Sequence, residues 1–263
     1  MSLSVKVGVS LETDGTSMDT MIDTLQKKKL PEIPDEIRHR IDASEITLTP
    51  VSEVNELLIR KDLQKEAGYR KMEKGIWQVS MYCPMPGITP EMIQWWFWWH
   101  PQADERYQVW YPGAHHGIGY ANKDREYFQT EQCPPFQNNI QYPVETIGGS
   151  KMPLQIRFVT PEEFGFSREL MEENDIPIIV CGHVGIKGLV MHTEMAHVFR
   201  KTEDGLYMFS RFWMGELLHS RLIRSMAITE ATALGMTEHC CVEYRNLVRI
   251  LPELYRKYGK ATQ

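Results

Sequence analysis

Apolar side chains follow the period of a strand in several segments of the chain. Between residues 76 and 83, Trp77, Val79 and Met81 alternate with polar positions, which predicts a strand buried on one face. Further strands are predicted over residues 107–110, 154–159, 176–180, 188–200 and 206–214. The last two flank Asp204-Gly205, a dipeptide that favours a tight hairpin turn.

Helical spacing of apolar residues marks other segments. Residues 54–68 predict a helix that ends at a glycine. Thr89-Pro90 predicts a helix start, with Thr89 as the N-cap and Pro90 in the first turn, and this helix carries the tryptophan cluster up to Trp99. Residues 229–258 predict one long helix, bent or stepped at Pro252.

The order of these elements indicates an α+β fold and not alternating strands and helices. A curved antiparallel sheet wrapped around the final helix would bury the apolar stripe of that helix and leave a cavity between the two. The first 45 residues are polar, with one helix predicted over residues 18–28. We therefore expect an arm over residues 1–45, either draped on the domain or part of an oligomer contact, and a single domain over residues 46–263.

Composition and charge narrow the class of protein. The chain has 263 residues, 24% of them charged, and a net charge of −6. The acidic excess argues against nucleic acid or an anionic membrane as the main partner. No apolar stretch approaches the roughly 20 residues of a membrane span, and no signal peptide is evident. Five scattered cysteines without a CxxC pair predict reduced thiols in a cytoplasmic protein in preference to a disulfide framework.

The final helix carries the first chemical signal. His239 and Glu243 lie one turn apart on a face that is otherwise apolar. A buried carboxylate must be protonated, paired or bound to a metal ion, because burying it alone is costly. The alternatives are a solvated edge of the helix or a simple His–Glu hydrogen bond, since a lone HxxxE pattern is common.

Other titratable residues follow turns and strands. His115 and His116 come after a Pro-Gly turn, where an exposed turn residue is the favoured interpretation of His116, and Glu145 lies in the next Pro-containing segment. His115, Glu145, His239 and Glu243 would together form a set of two histidines and two carboxylates. Nitrogen and oxygen ligands of this kind suit Zn²⁺, and also Fe²⁺, Mn²⁺ or Co²⁺.

Two histidines lie on the predicted strand over residues 188–200. His192 and His197 have opposite strand parity, so only one of them is expected to face the cavity. Phe212-Trp213 on the returning strand would add an aromatic wall.

Four segments of the chain stand in a fixed order and carry most of these residues. They are Thr89-Pro-Glu-Met-Ile-Gln-Trp-Trp-Phe-Trp-Trp-His-Pro101, Tyr107-Gln-Val-Trp-Tyr-Pro-Gly-Ala-His115, His197-Val-Phe-Arg200 with Ser210-Arg-Phe-Trp-Met-Gly215, and His239-x-x-x-Glu243. Together they resemble the family of zinc-dependent carbon–carbon hydrolases typified by phloretin hydrolase and 2,4-diacetylphloroglucinol hydrolase. The resemblance covers roughly residues 77–247.

This resemblance implies a helix-grip fold like that of the Bet v 1 allergens, with the pocket beneath the final helix, and it favours a homodimer. It also assigns the ligands of one Zn²⁺ ion. Carried over residue by residue, these ligands are His115, Glu145, His239 and Glu243.

The resemblance further implies the groups that handle protons. The family's tyrosine, eight residues before the first ligand, falls on Tyr107. The pocket histidine falls on His197 if the His-x-x-Arg pattern is aligned, whereas the separation from the final helix favours His192. The family's lysine one turn past the second ligand has no counterpart, because Gly149 stands there, and Lys151 is the candidate replacement.

The reaction implied is hydrolysis of a phenolic ketone at the bond between a phloroglucinol-type ring and its acyl carbon. The competing hypotheses are a carrier of phenolic ligands, which needs no titratable cluster, and a non-haem Fe²⁺ oxygenase, which fits two histidines and a carboxylate. The second carboxylate in the set favours hydrolysis over the oxygenase, whose site needs only one.

Overall fold

The structure is a computed structural model that describes residues 18–129 and 136–259. Cys133 and the first residues of the arm lie outside the described residues. The helices are Met18–Gln26 (α1), Asp35–Ala43 (α2), Glu56–Ile59 (α3), Pro90–Trp99 (α4), Asp104–Gln108 (α5), Arg125–Gln129 (α6), Pro161–Phe164 (α7), Arg168–Glu173 (α8), Arg221–Ala227 (α9) and Glu230–Tyr258 (α10). The strands are Gly68–Lys71 (β1), Trp77–Pro86 (β2), His115–Gly117 (β3), Ile140–Gln141 (β4), Val144–Ile147 (β5), Ser150–Val159 (β6), Ile178–Ile186 (β7), Met191–Thr202 (β8) and Gly205–Met214 (β9).

The strands form one antiparallel sheet in the order β1-β2-β9-β8-β7-β6-β5-β3, with β4 paired to β6. The hairpin predicted at Asp204-Gly205 is confirmed, since β8 and β9 pair antiparallel from Thr202 with Gly205 at the turn to Thr193 with Met214. The long helix α10 packs against this sheet, so the predicted α+β helix-grip architecture is confirmed.

The N-terminal signal predicted at Thr89 is also confirmed. The side chain of Thr89 accepts a hydrogen bond from the backbone N–H of Met92 at the start of α4. Thr229 caps α10 in the same way through the N–H of Thr232. In both cases the hydroxyl satisfies a backbone donor that has no partner within the helix.

The sheet is buried on both faces at β2, which corrects the prediction of a half-buried strand over residues 76–83. One face packs with α10 and α4 in the main core, which includes Val79 and Met81. The other face is covered by the segment from Val54 to Leu63 and by residues 164–176, and Trp213 lies there, fully buried. The polar positions of β2 are therefore buried as well, because a separate part of the chain covers them.

The helix predicted over residues 54–68 is wrong in extent. Helix α3 ends at Ile59, and a single 3-10 turn follows at Leu63–Lys65. The carbonyl of Leu57 accepts a hydrogen bond from the Gln64 amide, and that of Leu58 accepts one from Arg200. Because side chains occupy these carbonyls, they are not available to continue the helix.

The strand predicted over residues 107–110 is also wrong. Tyr107 lies in helix α5, which has Asp104 and Glu105 in its first turn, where acidic side chains interact favourably with the helix dipole. A run of four residues is too short for its period to distinguish a strand from a helix.

The described part of the arm, residues 18–45, packs on the domain, which is one of the two placements predicted for the arm. It contributes two helices, and Ile22, Leu25, Ile37 and Ile41 belong to the main core. Arg249 on α10 donates to the carbonyl of Lys29, which holds the arm against the long helix.

Candidate functional site

A cavity lies between α10 and the inner face of the sheet. Its sheet wall is apolar, with Leu154, Ile156 and Phe158 of β6 at alternate positions, and its helix wall includes Met236 of α10. The polar side chains of the cavity gather mainly where α10, β5 and α5 meet. This is the region in which the sequence places the candidate ligands.

The β5–β6 hairpin carries Glu145 to the long helix. Gly148 and Gly149 form its two-residue turn, and both have positive φ angles (57° and 81°), as a type I′ turn requires. This turn touches α10 at Gly235, where a Cβ atom would lie only 2.5 Å from the Cα of Gly148. The hairpin can approach the helix this closely because Gly235 has no side chain.

His115 is brought close to Glu145 by strand β3, which pairs with the β5 strand of the hairpin. It lies at the start of β3, after a turn in which its N–H donates to the carbonyl of Tyr111. His115 pairs with Glu145 in the register of β3 and β5, so the two side chains are neighbours across the sheet.

The four predicted ligands come together in one buried cluster. The Nε2 atoms of His115 and His239 are 3.2 Å apart. An Oε2 atom of Glu145 lies 3.5 Å from the Nε2 of His239. An Oε2 atom of Glu243 lies 3.6 Å and 3.7 Å from the Nε2 atoms of His115 and His239.

The second nitrogen of each imidazole is held by the backbone. Nδ1 of His115 lies 3.3 Å from the carbonyl oxygen of Tyr107. The ring of His239 forms a hydrogen bond with the backbone of Thr146, next to Glu145. Such outer contacts fix the orientation of an imidazole and leave its other nitrogen free to coordinate a metal ion.

Burial disfavours the charged form of every member of the cluster. It raises the pKa of Glu145 to about 7, and together with the charge of Glu145 it raises the pKa of Glu243 well above its usual value. Burial lowers the pKa of His239 to about 4 and that of His115 well below its ordinary value. A cation at the centre of the cluster would reverse these directions for the carboxylates, because an opposite charge stabilises the ionised form.

Tyr107 is part of the same cluster. Its hydroxyl donates a hydrogen bond to Oε1 of Glu145, the carboxylate oxygen that does not face His239. Its ring stacks on His115, with centroids 4.1 Å apart and planes within 5°. Burial, followed by the charge of Glu145, raises the pKa of Tyr107 well above its usual value, so the phenol keeps its proton at neutral pH.

Both candidate pocket histidines line the cavity, which corrects the parity argument. On β7, Val184 and Gly185 are consecutive, but they pair with Thr193 and Met191. His192 is therefore the extra residue of a β-bulge, which changes the alternation of side chains along β8. His197 is the more buried of the two, and its Nδ1 lies 2.7 Å from the hydroxyl oxygen of Ser210.

Two other predicted positions, Lys151 and Trp213, lie outside the cavity. Lys151 is exposed on the opposite face of β6 from Met152 and lines a separate surface pocket with His116, so the structure does not bring it to the cluster. Of the predicted aromatic pair, Phe212 lines the cavity, whereas Trp213 lies on the outer face of the sheet and donates to the carbonyl of Thr49.

The tryptophans of α4 pack in the core, and the helix lines the cavity instead with Phe97 and with His100, which follows its last residue. Sequence reasoning did not assign His100 to the site. The signal available was its position three residues after Phe97, on the same face of the helix. Gln141 and Tyr244 also line the cavity without having been predicted.

The donor set fits a metal ion. Within the described residues, His115, Glu145 and His239 each offer a ligand atom within 4.8 Å of the others, all three being buried. Metal–ligand distances of about 2.0–2.2 Å in a tetrahedron correspond to ligand–ligand separations of roughly 3.3–3.6 Å. Four of the six pairs in the cluster are separated by 3.2 to 3.7 Å, close to this range. Glu243 approaches both imidazoles but lies outside the group of three whose ligand atoms are all within 4.8 Å of one another.

None of the helices in residues 18–129 and 136–259 combines the length and apolar character that crossing a membrane requires.

Comparisons with known proteins match most of the chain. A family model described as the DAPG hydrolase PhiG domain matches residues 48–256. The chain is 31% identical over 242 residues to a 2,4-diacetylphloroglucinol hydrolase of Pseudomonas protegens, covering 82% of this chain and 76% of the relative. It is 29% identical over 182 residues to a phloretin hydrolase of Eubacterium ramulus, covering 65% of this chain and 64% of the relative. The crystal structure of Ara h 8.0201 is similar at 7% identity with a TM-score of 0.40, covering 68% of this chain and 99% of that one.

Proposed function

Because the chain belongs to the DAPG hydrolase PhiG domain family, whose model matches residues 48–256, we propose that it is a zinc-dependent hydrolase of acylphloroglucinol ketones. The bond that breaks joins a polyhydroxylated aromatic ring to its acyl carbon. Relatives named for phloretin and for 2,4-diacetylphloroglucinol support this class of substrate.

The contact between the two imidazoles is the observation that supports a metal ion most strongly. Each ring uses one nitrogen to bond the backbone, at Tyr107 and Thr146. If those nitrogens carry the protons, the two Nε2 atoms are bare acceptors that face each other at 3.2 Å. Two acceptors cannot hydrogen-bond each other, whereas both can coordinate the same cation, with the carboxylates neutralising its charge.

His115, Glu145, His239 and Glu243 would hold this ion. Two imidazoles and two carboxylates are ligands that Zn²⁺ accepts readily. When bound, Zn²⁺ supplies a Lewis acid that polarises the carbonyl of the ketone. The remaining steps depend on side chains of the protein.

The side chains around the cluster must move a proton to the ring carbon that leaves. In the overall reaction, the acyl carbon gains the oxygen of water, and the ring carbon gains a proton as the bond breaks. Tyr107 keeps its phenolic proton at neutral pH and is held at Glu145 by a hydrogen bond. His197 is neutral, because burial lowers its pKa to about 3, so it can relay a proton without carrying a charge. We assign these two residues to proton transfer.

The rest of the cavity suits a flat phenolic ring. Phe97, Trp110 and Phe212 give it aromatic walls, and the alternate positions of β6 add aliphatic ones. Such walls exclude water from the reacting carbonyl and orient the ring by stacking.

The test combines metal analysis with a panel of substrates. We expect about one zinc ion per chain in the purified protein, and hydrolysis of phloretin or of acylphloroglucinols that stops on chelation and returns with Zn²⁺. Tight binding of these ketones without turnover in the zinc-loaded protein would favour the carrier hypothesis. Turnover that requires Fe²⁺ and O₂ would favour an oxygenase.

We also retain the homodimer and the cytoplasmic location as proposals. The apolar side chains Leu222, Ile223 and Met226 are exposed on α9, beside the cavity residues Ala227 and Ile228. Covering them in a second subunit would remove apolar surface from water. Light scattering during size-exclusion chromatography should give twice the mass of the chain, and a monomer at micromolar concentration would contradict this.

A further inference from the structure

His100 is a buried histidine of the cavity that the proposed reaction leaves without a role. It follows the last residue of α4 and is only 1% exposed. Its Nδ1 atom lies 2.7 Å from the carbonyl oxygen of Trp96, one helical turn earlier. The side chain lines the cavity beside Phe97, Tyr107 and Trp110.

The hydrogen bond to Trp96 fixes the tautomer of His100. A carbonyl oxygen can only accept, so Nδ1 must carry the ring proton. Burial lowers the pKa of His100 to about 3, so the ring stays neutral and Nε2 keeps its lone pair. Within residues 18–129 and 136–259, the hydrogen bond found for this ring is the one from Nδ1 to Trp96, and none is found at Nε2. Nε2 is thus a neutral acceptor without a protein partner, on a ring that lines the cavity.

The position of His100 relative to the cluster follows from a stack of rings. Tyr107 stacks on His115 at 4.1 Å and on His100 at 5.7 Å, with interplanar angles of 5° and 25°. Within the described residues no close ring contact joins the two imidazoles, whereas Tyr107 contacts both of them. His100 therefore stands one ring beyond the candidate metal ligands.

We propose that Nε2 of His100 accepts a hydrogen bond from a hydroxyl group on the aromatic ring of the substrate, so that it selects ketones with a hydroxyl at that position. This inference rests on the proposed function and names a specificity-determining residue for it. A neutral acceptor favours a protonated phenol over a phenolate. It also disfavours a ring without that hydroxyl, because the buried acceptor then stays unpaired.

Two matched variants separate this role from packing. In His100→Asn, the side-chain amide nitrogen takes the place of Nδ1 and can still donate to Trp96, but the acceptor in the cavity is lost. In His100→Gln, the side-chain oxygen reaches the place of Nε2, whereas the bond to Trp96 is lost. A role in packing alone predicts that both variants bind all ligands more weakly, without a change in selectivity.

The ligands are an acetophenone with three ring hydroxyls and the two analogues that lack either the para or one ortho hydroxyl. Dissociation constants come from quenching of tryptophan fluorescence. We expect the wild type to bind one analogue about 3- to 10-fold more weakly than the parent ketone. His100→Asn should abolish this difference, and His100→Gln should keep it. An unchanged difference in His100→Asn, or none in the wild type, would overturn the proposal.

A second measurement does not depend on the variants folding. Long-range proton–nitrogen NMR of the wild type reports which ring nitrogen of His100 is protonated. We expect a protonated Nδ1, and an Nε2 resonance that shifts when the parent ketone binds. A protonated Nε2 or an unshifted resonance would refute the assignment. Since these readouts measure binding, absence of hydrolysis would count against the proposed reaction and not against the hydrogen bond.

Discussion

The contact between Gly235 and Gly148 yields the sharpest prediction, because helix propensity and packing predict opposite changes in stability for Gly235→Ala. In an exposed helix, replacing glycine with alanine raises stability by up to about 1 kcal/mol, since alanine loses less conformational freedom on folding. In α10, however, the Cβ of Gly235→Ala would meet the Cα of Gly148 at 2.5 Å and its nitrogen at 2.6 Å. These are backbone atoms and cannot rotate away.

The hairpin must therefore move for the variant to fold. Ordinary van der Waals contact begins at 3.4 Å, so the turn has to withdraw by about 0.9 Å. Overpacking of this kind typically costs about 1–3 kcal/mol, which exceeds the gain in helix propensity. Glu145 lies three residues before Gly148, so we expect its carboxylate to move away from His239. A misplacement of about 1 Å at a reacting centre can lower the rate by about 100-fold.

The assay is urea unfolding of Gly235→Ala together with zinc affinity and kcat/KM for an acylphloroglucinol. Gly119→Ala is the matched control, because its φ angle is not in the left-handed region and no atom lies within 4 Å of the new Cβ. We expect Gly235→Ala to lose about 1–2 kcal/mol and to bind zinc more weakly, with the control unchanged. An increase in stability with full zinc affinity would refute the reasoning.

Four further predictions concern single side chains. Glu243→Gln should keep the fold but bind zinc more weakly and lower turnover by orders of magnitude, because a charged ligand becomes neutral; wild-type hydrolysis of phloretin by this variant would rule out the proposed mechanism. Tyr107→Phe should retain zinc and lose most of kcat, since it deletes one donor and little volume; zinc analysis beside the kinetics would reveal a purely structural role. His197→Asn should lose most of kcat, whereas His192→Asn should leave kcat nearly unchanged. The opposite result, with kcat lost only in His192→Asn, would assign the proton relay to His192. Burial raises the folded-state pKa of Glu194 to about 7. Because the folded state then binds the proton more tightly than the unfolded state, the free energy of unfolding should fall as the pH rises from about 4.5 to about 7. Glu194→Gln should flatten this part of a plot of melting temperature against pH, and an unchanged slope would contradict the prediction.

The sequence was sufficient where local chemistry decides the structure. Thr89-Pro90 starts a helix because the cap hydroxyl lies within three residues of the N–H it satisfies. The β8–β9 hairpin follows from a dipeptide between two apolar strands. The four candidate ligands were predicted from an HxxxE pattern and from the resemblance of whole segments.

The sequence was insufficient where a segment distant in the chain determines the burial of a strand or the end of a helix. The outer face of β2 is buried by a segment that alternation cannot reveal. Helix α3 stops where Gln64 and Arg200 bond the carbonyls of Leu57 and Leu58. The bulge at His192 exists only in the pairing of β8 with β7. Simple alternation along β8 therefore gave the wrong prediction that His192 and His197 cannot both face the cavity.

The position of α10 in the chain has a consequence for synthesis. This helix is the last described element, and it covers the inner face of a sheet whose strands are all complete by Met214. While a ribosome makes the chain, that apolar face must wait for residues 230–258 before it is covered. A nascent chain stalled before this point would expose a large apolar surface and would be prone to aggregate. We expect that shortening the chain from this end gives an open sheet that needs a chaperone.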